Sequence, residues 1–152
     1  MAKFTTTGVE DFLRALDSWG DDAERAIPLV LNAGADVAQE RMENNAAWSD
    51  KTGELRRSLK RTKPKGSGSA TYIEIYPSGT SSDGESLAEV GFVLEYGRGV
   101  STFTRVTKNG VTKTYVSPEM APHPWVRPAI EDNPGEIIGA MQKKWEDVMD
   151  RG

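Results

Sequence analysis

The sequence predicts an α+β fold: a small antiparallel sheet with a protruding β-hairpin, flanked by a long N-terminal helix and a C-terminal helix. Three observations point there. Apolar residues recur at helical spacing after Asp21-Asp22 and again after Asn133-Pro134. Ala70–Tyr76 is rich in β-branched and aromatic residues. Asn109-Gly110 separates two threonine-rich runs, as in a hairpin. With 152 residues, one domain over 1–152 can bury a core.

Val9, Phe12, Leu13 and Leu16 suggest a first helix stopped by Gly20. Asp21 and Asp22 open a longer one, where carboxylates suit a first turn. Its stripe is Ile27, Val30/Leu31, Gly34, Val37/Ala38 and Met42, and its small members predict close packing. After Trp48 the chain turns at Ser49-Asp50. Thr52–Leu59 then reads as a short helix anchored by Leu55 and Leu59. Lys63–Ser69 is a flexible loop by composition. The strand Ala70–Tyr76 should end at Pro77, with Ile73 and Ile75 on one face and Tyr72, Glu74 and Tyr76 on the other. Ser78–Gly84 reads as a second flexible loop. Ser86-Leu87-Ala88-Glu89 matches a capping box, so 87–96 reads as a helix ended by Gly97, with a strand through Phe92-Val93-Leu94 as the competing reading.

Residues 101–116 predict a type I′ hairpin with Lys108 opposite Val111. In that register apolar groups fall on both faces, so the hairpin should project from the body, wet on both sides unless a neighbouring subunit covers it. Pro118, Pro122, Pro124 and Pro128 predict extended backbone. Asn133-Pro134-Gly135-Glu136 reads as an N-cap, and Ile137, Ile138, Met141, Trp145, Val148 and Met149 form a stripe that packs on the sheet or on the long early helix.

Composition narrows the chemistry. There is no cysteine, which excludes disulfides, thiolate metal sites and cysteine nucleophiles. One histidine, His123, makes a Ser–His–Asp triad improbable. No apolar run approaches the roughly 20 residues that span a bilayer, and the first residues lack a secretory signal, so no membrane is expected. The net charge is −4, unevenly spread. Residues 51–65 carry seven basic side chains against Glu54 alone. The commoner explanation of such a strip is a solvated helix end. The sharper one is contact of Arg56, Arg57, Lys60, Arg61, Lys63 and Lys65 with DNA or an acidic surface. His123 lies between prolines and suits packing better than catalysis. Asp21/Asp22 and Glu131/Asp132 are explained by helix starts, and Gly97-Arg98-Gly99 is too short for a phosphate loop. Glu95, at the end of a buried segment, needs a partner, for which Arg127 is the candidate. No catalytic, cofactor-binding or metal site is predicted.

The order of motifs is informative. A long helix leads to Thr52-Gly53-Glu54-Leu55-Arg56-Arg57-Ser58, then Glu95-Tyr96-Gly97, then Pro122-His123-Pro124-Trp125-Val126-Arg127-Pro128-Ala129-Ile130 before a terminal helix. From about Val9 to Met149 this resembles the tail-completion or head–tail joining family of long-tailed bacteriophages, named after the tenth gene product of a lambdoid coliphage. Family members carry phenylalanine and leucine where this chain has Trp125 and Val126, and often threonine in place of Arg98. The hairpin is also longer than in compact members. The resemblance implies a virion structural component without catalytic role, made in the host cytoplasm and sited at the tail end, the neck or the head–tail junction. Relatives assemble as rings around the DNA channel.

The leading expectation is therefore a tail-completion or connector protein, not an enzyme and without cofactor. It would bind itself as a homo-oligomeric ring, a hexamer being one candidate, together with tail-tube or tail-terminator and head-connector proteins, with contact to channel DNA. Phe103, Arg105, Val106, Tyr115, Pro122, His123, Trp125 and Arg127 are the expected partner contacts. Glu95, Tyr96, Gly97, Pro124 and Pro128 are the expected structural motif. The alternative is a DNA-binding accessory module using the strip 51–65. A metal-dependent nuclease resting on Asp83, Glu85 or Glu89 is a third reading with less behind it.

Overall fold

The computed structural model describes residues 20–45, 51–132 and 134–151. The expected helix around Val9–Leu16, the turn at Ser49-Asp50 and the capping role of Asn133 lie outside the described residues. In chain order the elements are α1 (Asp21–Asn44), α2 (Glu54–Arg57), β1 (Leu59–Arg61), β2 (Ile75–Pro77), α3 (Leu87–Tyr96), β3 (Ser101–Val106), β4 (Thr112–Ser117), α4 (Val126–Ile130) and α5 (Gly135–Met149). The architecture is α+β, with two separate two-stranded antiparallel sheets, β1–β2 and β3–β4.

The long helix α1 begins at Gly20, whose φ of +78° suits a residue without a side chain. The Gly20 carbonyl accepts from the N–H groups of Ala23 and Glu24 at 3.0 and 3.2 Å. Ala23, Ile27, Val30, Leu31, Ala38 and Met42 are buried, the spacing of a single helical face. The small residues on that face let α5 approach. A Cβ on Gly34 would stand 2.8 Å from Met141 Cγ and 2.9 Å from its sulfur. Arg41, late in α1, meets Glu136, early in α5, at 3.8 Å. With Gly34 against Met141, the two helices must run antiparallel. The C-terminal helix thus lies on the long helix, burying Ile137 and Met141.

The expected helix over Thr52–Leu59 is shorter. Ser58 ends it: its hydroxyl donates to the Leu55 carbonyl at 2.7 Å, while its own carbonyl accepts from the Ser78 N–H at 3.1 Å. Leu59 then pairs with Pro77, Lys60 with Tyr76 and Arg61 with Ile75. Leu55 and Leu59 are both buried, but one arrives on a helix and the other on a strand.

The expected strand Ala70–Tyr76 contracts to Ile75–Pro77, because Gly68–Ala70 forms a single 3₁₀ turn. Pairing continues irregularly beyond the strands. Thr62 N–H donates to the Glu74 carbonyl at 2.9 Å, and Lys65 and Tyr72 exchange bonds of 2.9 and 2.8 Å. Between these pairs one side advances three residues and the other two, the signature of a bulge. Pro64, which has no N–H to leave unpaired, sits in it. The expected face split holds: Ile73 and Ile75 pack on the core, while Tyr72 and Tyr76 are exposed. The loop 78–84, expected to be flexible, is held at several points. Leu87 N–H donates to the Gly79 carbonyl at 3.0 Å, and Ser82 N–H donates to the Glu54 carboxylate at 2.8 Å.

Helix α3 starts as its capping motif predicts, with the Ser86 hydroxyl accepting from Glu89 N–H. Pro122–Pro128 is not wholly extended: Pro128 lies inside α4. As the third residue of that helix it needs no intrahelical donor.

Replacing Gly34 by leucine should force α1 and α5 apart. The expected loss is about 1–3 kcal/mol, measured as an earlier urea midpoint with little change in slope.

Candidate functional site

Two stretches far apart in sequence meet at the end of α3. Glu95 is 4% exposed, and a carboxylate so placed must be fully engaged. One of its oxygens, Oε2, accepts from the N–H groups of Trp125 and Val126 at 2.8 and 2.9 Å. The other, Oε1, accepts from the Arg127 N–H and from Arg127 Nε, both at 3.3 Å. Three consecutive backbone donors at the start of α4 thus share one side chain. These are the groups that a helix start leaves without internal partners. Arg127 is indeed the partner of Glu95, but the backbone supplies three of the four bonds.

The lacing extends on both sides. His123 N–H donates to the Leu94 carbonyl at 2.7 Å, and Arg98 and Met120 exchange bonds of 2.9 and 2.8 Å. Gly97 has φ +74°, and a Cβ there would lie 2.7 Å from the Met120 carbonyl oxygen. Only glycine fits that crossing. Trp125 is 1% exposed, and its indole N–H donates to the Gly91 carbonyl at 2.9 Å. Its own carbonyl accepts from Asn45 Nδ2 at 2.9 Å. Trp125 was expected to touch a partner and is instead core, because the turn into α4 points the ring inward under Gly91.

This arrangement is architectural. The four acceptor positions of Glu95 are occupied, which leaves none for proton transfer with a substrate. Among the described residues no group of three or more histidine, aspartate and glutamate side chains could hold a metal ion.

The basic strip is partly self-satisfied. Arg56 donates to the Glu43 carbonyl and to the Asn45 carbonyl at 2.8 Å. Arg57 donates to the Thr52 carbonyl at 2.9 Å, and Arg61 pairs with Asp36. Lys65 Nζ lies 3.1 Å from Glu74, and that contact raises the lysine's pKa. Lys60 and Lys63 are exposed, with no ion pair among the described residues.

The hairpin is exposed along both strands, as expected of an arm, but its register differs by one residue. Val106 faces Thr112, Arg105 faces Lys113 and Phe103 faces Tyr115. A type I′ turn needs positive φ at both central residues, whereas Gly110 has positive φ and Asn109 does not. The loop is instead Lys108-Asn109-Gly110, closed by Thr107 N–H donating to the Val111 carbonyl at 2.9 Å. The slip gathers the aromatic groups. Phe103 and Tyr115 stack with centroids 5.5 Å apart, with the Arg105 guanidinium 5.5 Å from the Phe103 centroid. Val106 lies on the opposite face.

A second exposed aromatic group joins Tyr96, expected as part of the structural motif, to Phe92, which the sequence reading does not single out. Phe92 and Tyr96 are 59% and 49% exposed, their rings 4.8 Å apart, with Arg127 over Tyr96 at 5.8 Å. The signal was present: Ala88, Phe92 and Tyr96 recur every four residues, on the face opposite Leu87, Gly91 and Leu94. Pro122 and His123 are exposed near this end of α3.

A family model described as "Bacteriophage HK97-gp10, putative tail-component" matches residues 10–97. The described part of that span runs from α1 to the end of α3, and it stops short of the hairpin. No curated protein and no solved structure matches the chain.

Glu95→Ala should destabilise the fold by about 3 kcal/mol, since it strands several backbone donors. Arg127→Ala, at a half-exposed side chain, should cost less than about 1 kcal/mol; chemical denaturation of both variants checks the contrast. A pH effect is expected at Glu54, whose carboxyl is held below its ordinary 4.5 by the Ser82 N–H and then the Thr52 hydroxyl. A lowered folded value means the tether contributes above the unfolded value and is lost as pH falls through the folded one. The Ser82 amide resonance should therefore titrate with a midpoint below 4.5, and Glu54→Gln should abolish that titration.

Proposed function

The chain belongs to the HK97-gp10-like family of bacteriophage tail components, and on that footing we propose that it completes the tail end or joins tail to head in a long-tailed phage or prophage. It acts as a structural part of the virion and carries out no bond chemistry. Family membership carries this reading. The architecture supports it, because the buried constellation around Glu95 serves folding while the hairpin spends its aromatic residues on solvent.

In this reading the chain packs against copies of itself in a ring, with the hairpin and the Pro122–His123 corner as contact surfaces, and meets tail-tube or terminator proteins and the head connector on the remaining faces. Contact with channel DNA falls to Lys60 and Lys63. A separate DNA-binding role draws less support, because Arg56, Arg57, Arg61 and Lys65 are engaged within the chain.

Deleting the gene from its phage or prophage should yield filled heads and tails that fail to join, or tails with an unfinished end, visible by negative-stain microscopy. Expression from a plasmid should restore joined particles that contain the chain. Normal joined particles in the deletion strain would rule the function out.

A further inference from the structure

The hairpin and α3 each leave uncovered what the other could cover. A two-stranded ribbon is marginal in water unless something packs on it, yet every residue of β3 is exposed. The 101–117 segment carries Arg105, Lys108 and Lys113 and no acidic residue. Its aromatic pair, Phe103 and Tyr115, sits toward the base and its lysines toward the tip. The outward face of α3 has the matching order. Glu89 lies in its first turn, with Asp83 and Glu85 in the loop just before it, all three exposed and without ion pairs among the described residues. Phe92 and Tyr96 follow toward its C-terminal end. Residues 83–96 contain no basic side chain.

The dimensions agree as well. Within the strand, Phe103 to Val106 spans about 10 Å at 3.3 Å per residue, and within the helix, Glu89 to Tyr96 spans roughly 10 Å at helical rise. Within one chain the two surfaces do not cover each other, since Phe92 and Tyr115 both stay exposed at 59% and 41%.

From this complementarity we infer that the hairpin of one copy lies along α3 of a second copy. Phe103 and Tyr115 meet Phe92 and Tyr96, and Lys108 and Lys113 meet the carboxylates of Glu85 and Glu89. The contact uses different surfaces on the two partners and so propagates head to tail, closing into a ring when the rotation allows. The inference rests on the ring-forming reading above and names the surfaces that would build it.

Charge reversal tests it on the purified full-length chain. Lys108→Glu with Lys113→Glu, or Glu85→Lys with Glu89→Lys, should each weaken self-association at least about ten-fold, a substantial part of an electrostatic contact. Light scattering across a concentration series reads the effect. All four changes together should recover most of the loss, because the charges again oppose one another. In dilute solution, where the chain is monomeric, the lysine variants should melt as wild type does, since Lys108 and Lys113 are exposed, while Glu89→Lys should lower the melting temperature by no more than about 4 °C because Glu89 lies in the first turn of α3.

Phe92→Ser offers a check independent of charge and should weaken association while leaving the melting temperature of the dilute, monomeric chain nearly unchanged. Self-association that ignores these substitutions, losses that add without recovery in the fourfold variant, or a wild-type chain that stays monomeric would overturn the inference. Binding of the hairpin to a tail-tube protein in place of a second copy would overturn it too. None of these outcomes alters the deletion phenotype, so the proposed function is judged separately.

Discussion

One buried carboxylate organises the molecule. Glu95 cannot sit in the interior as a bare charge, and what satisfies it is the start of α4, three consecutive N–H groups of Trp125, Val126 and Arg127. That requirement fixes where the chain must return after its excursion through the hairpin. Once it returns, Trp125 is delivered into the core under Gly91. Its carbonyl then holds Asn45 at the end of α1, and the Asn45 carbonyl in turn receives Arg56. A relay of hydrogen bonds that starts at Glu95 therefore couples α1, α2, α3 and α4, in addition to the one apolar cluster to which all four contribute. A charged group is well suited to such a task, because it fails loudly: with the partner displaced, nothing in an apolar interior replaces it.

How much of this is legible in the sequence depends on what kind of physics sets each element. Helices α1, α3 and α5 are legible because burial of one face imposes a period that the residues record directly. Strand β1 is not, since Leu55 and Leu59 are four apart and satisfy a helical rule by coincidence; only the distant Ser78 N–H, arriving at the Ser58 carbonyl, ends the helix. The hairpin's existence is plain, but its register is not. Asn-Gly serves a two-residue turn and a three-residue turn with glycine at the positive-φ position equally well, and no buried face penalises the one-residue slip. At the Glu95 site the pairing with Arg127 could be anticipated from charge alone. The larger contribution of backbone donors could not, because every residue carries one. Trp125 sits in a proline-rich stretch that reads as exposed, and only the fold turns it inward.

The basic strip makes a related point about charge. Seven cations in fifteen residues look like a face awaiting phosphate. In space the strip is folded around a helix turn and an irregular strand, so successive cations point to different neighbours. Arg56 spends its guanidinium on backbone carbonyls, and Arg61 spends its own on Asp36. Linear density of charge thus overstates the available field, since the acidic residues that offset it, Asp36 in α1 and Glu74 just before β2, come from outside the strip.

The base of the hairpin is hydrogen-bonded into the fold while the hairpin itself is uncovered, and the two facts belong together. Arg98 and Met120 clasp the two strands' approaches, Gly97 permits the backbones to cross closely, and Glu95 anchors the segment beyond. A loop emerging from a loose base would lose much of its binding energy to ordering. An arm clasped at its root, with Phe103 stacked on Tyr115 and closed by Thr107 at its tip, meets part of that cost before a partner arrives. The exposed aromatic rings contribute nothing to the isolated chain that buried ones would not contribute better. Their position is economical only if a surface arrives to cover them. The same holds for Phe92 and Tyr96 on α3, which share the anchored end of the molecule with the arm's root. Both aromatic pairs thus sit on well-bonded parts of the fold with their rings exposed, the arrangement on which the proposed contact between copies draws.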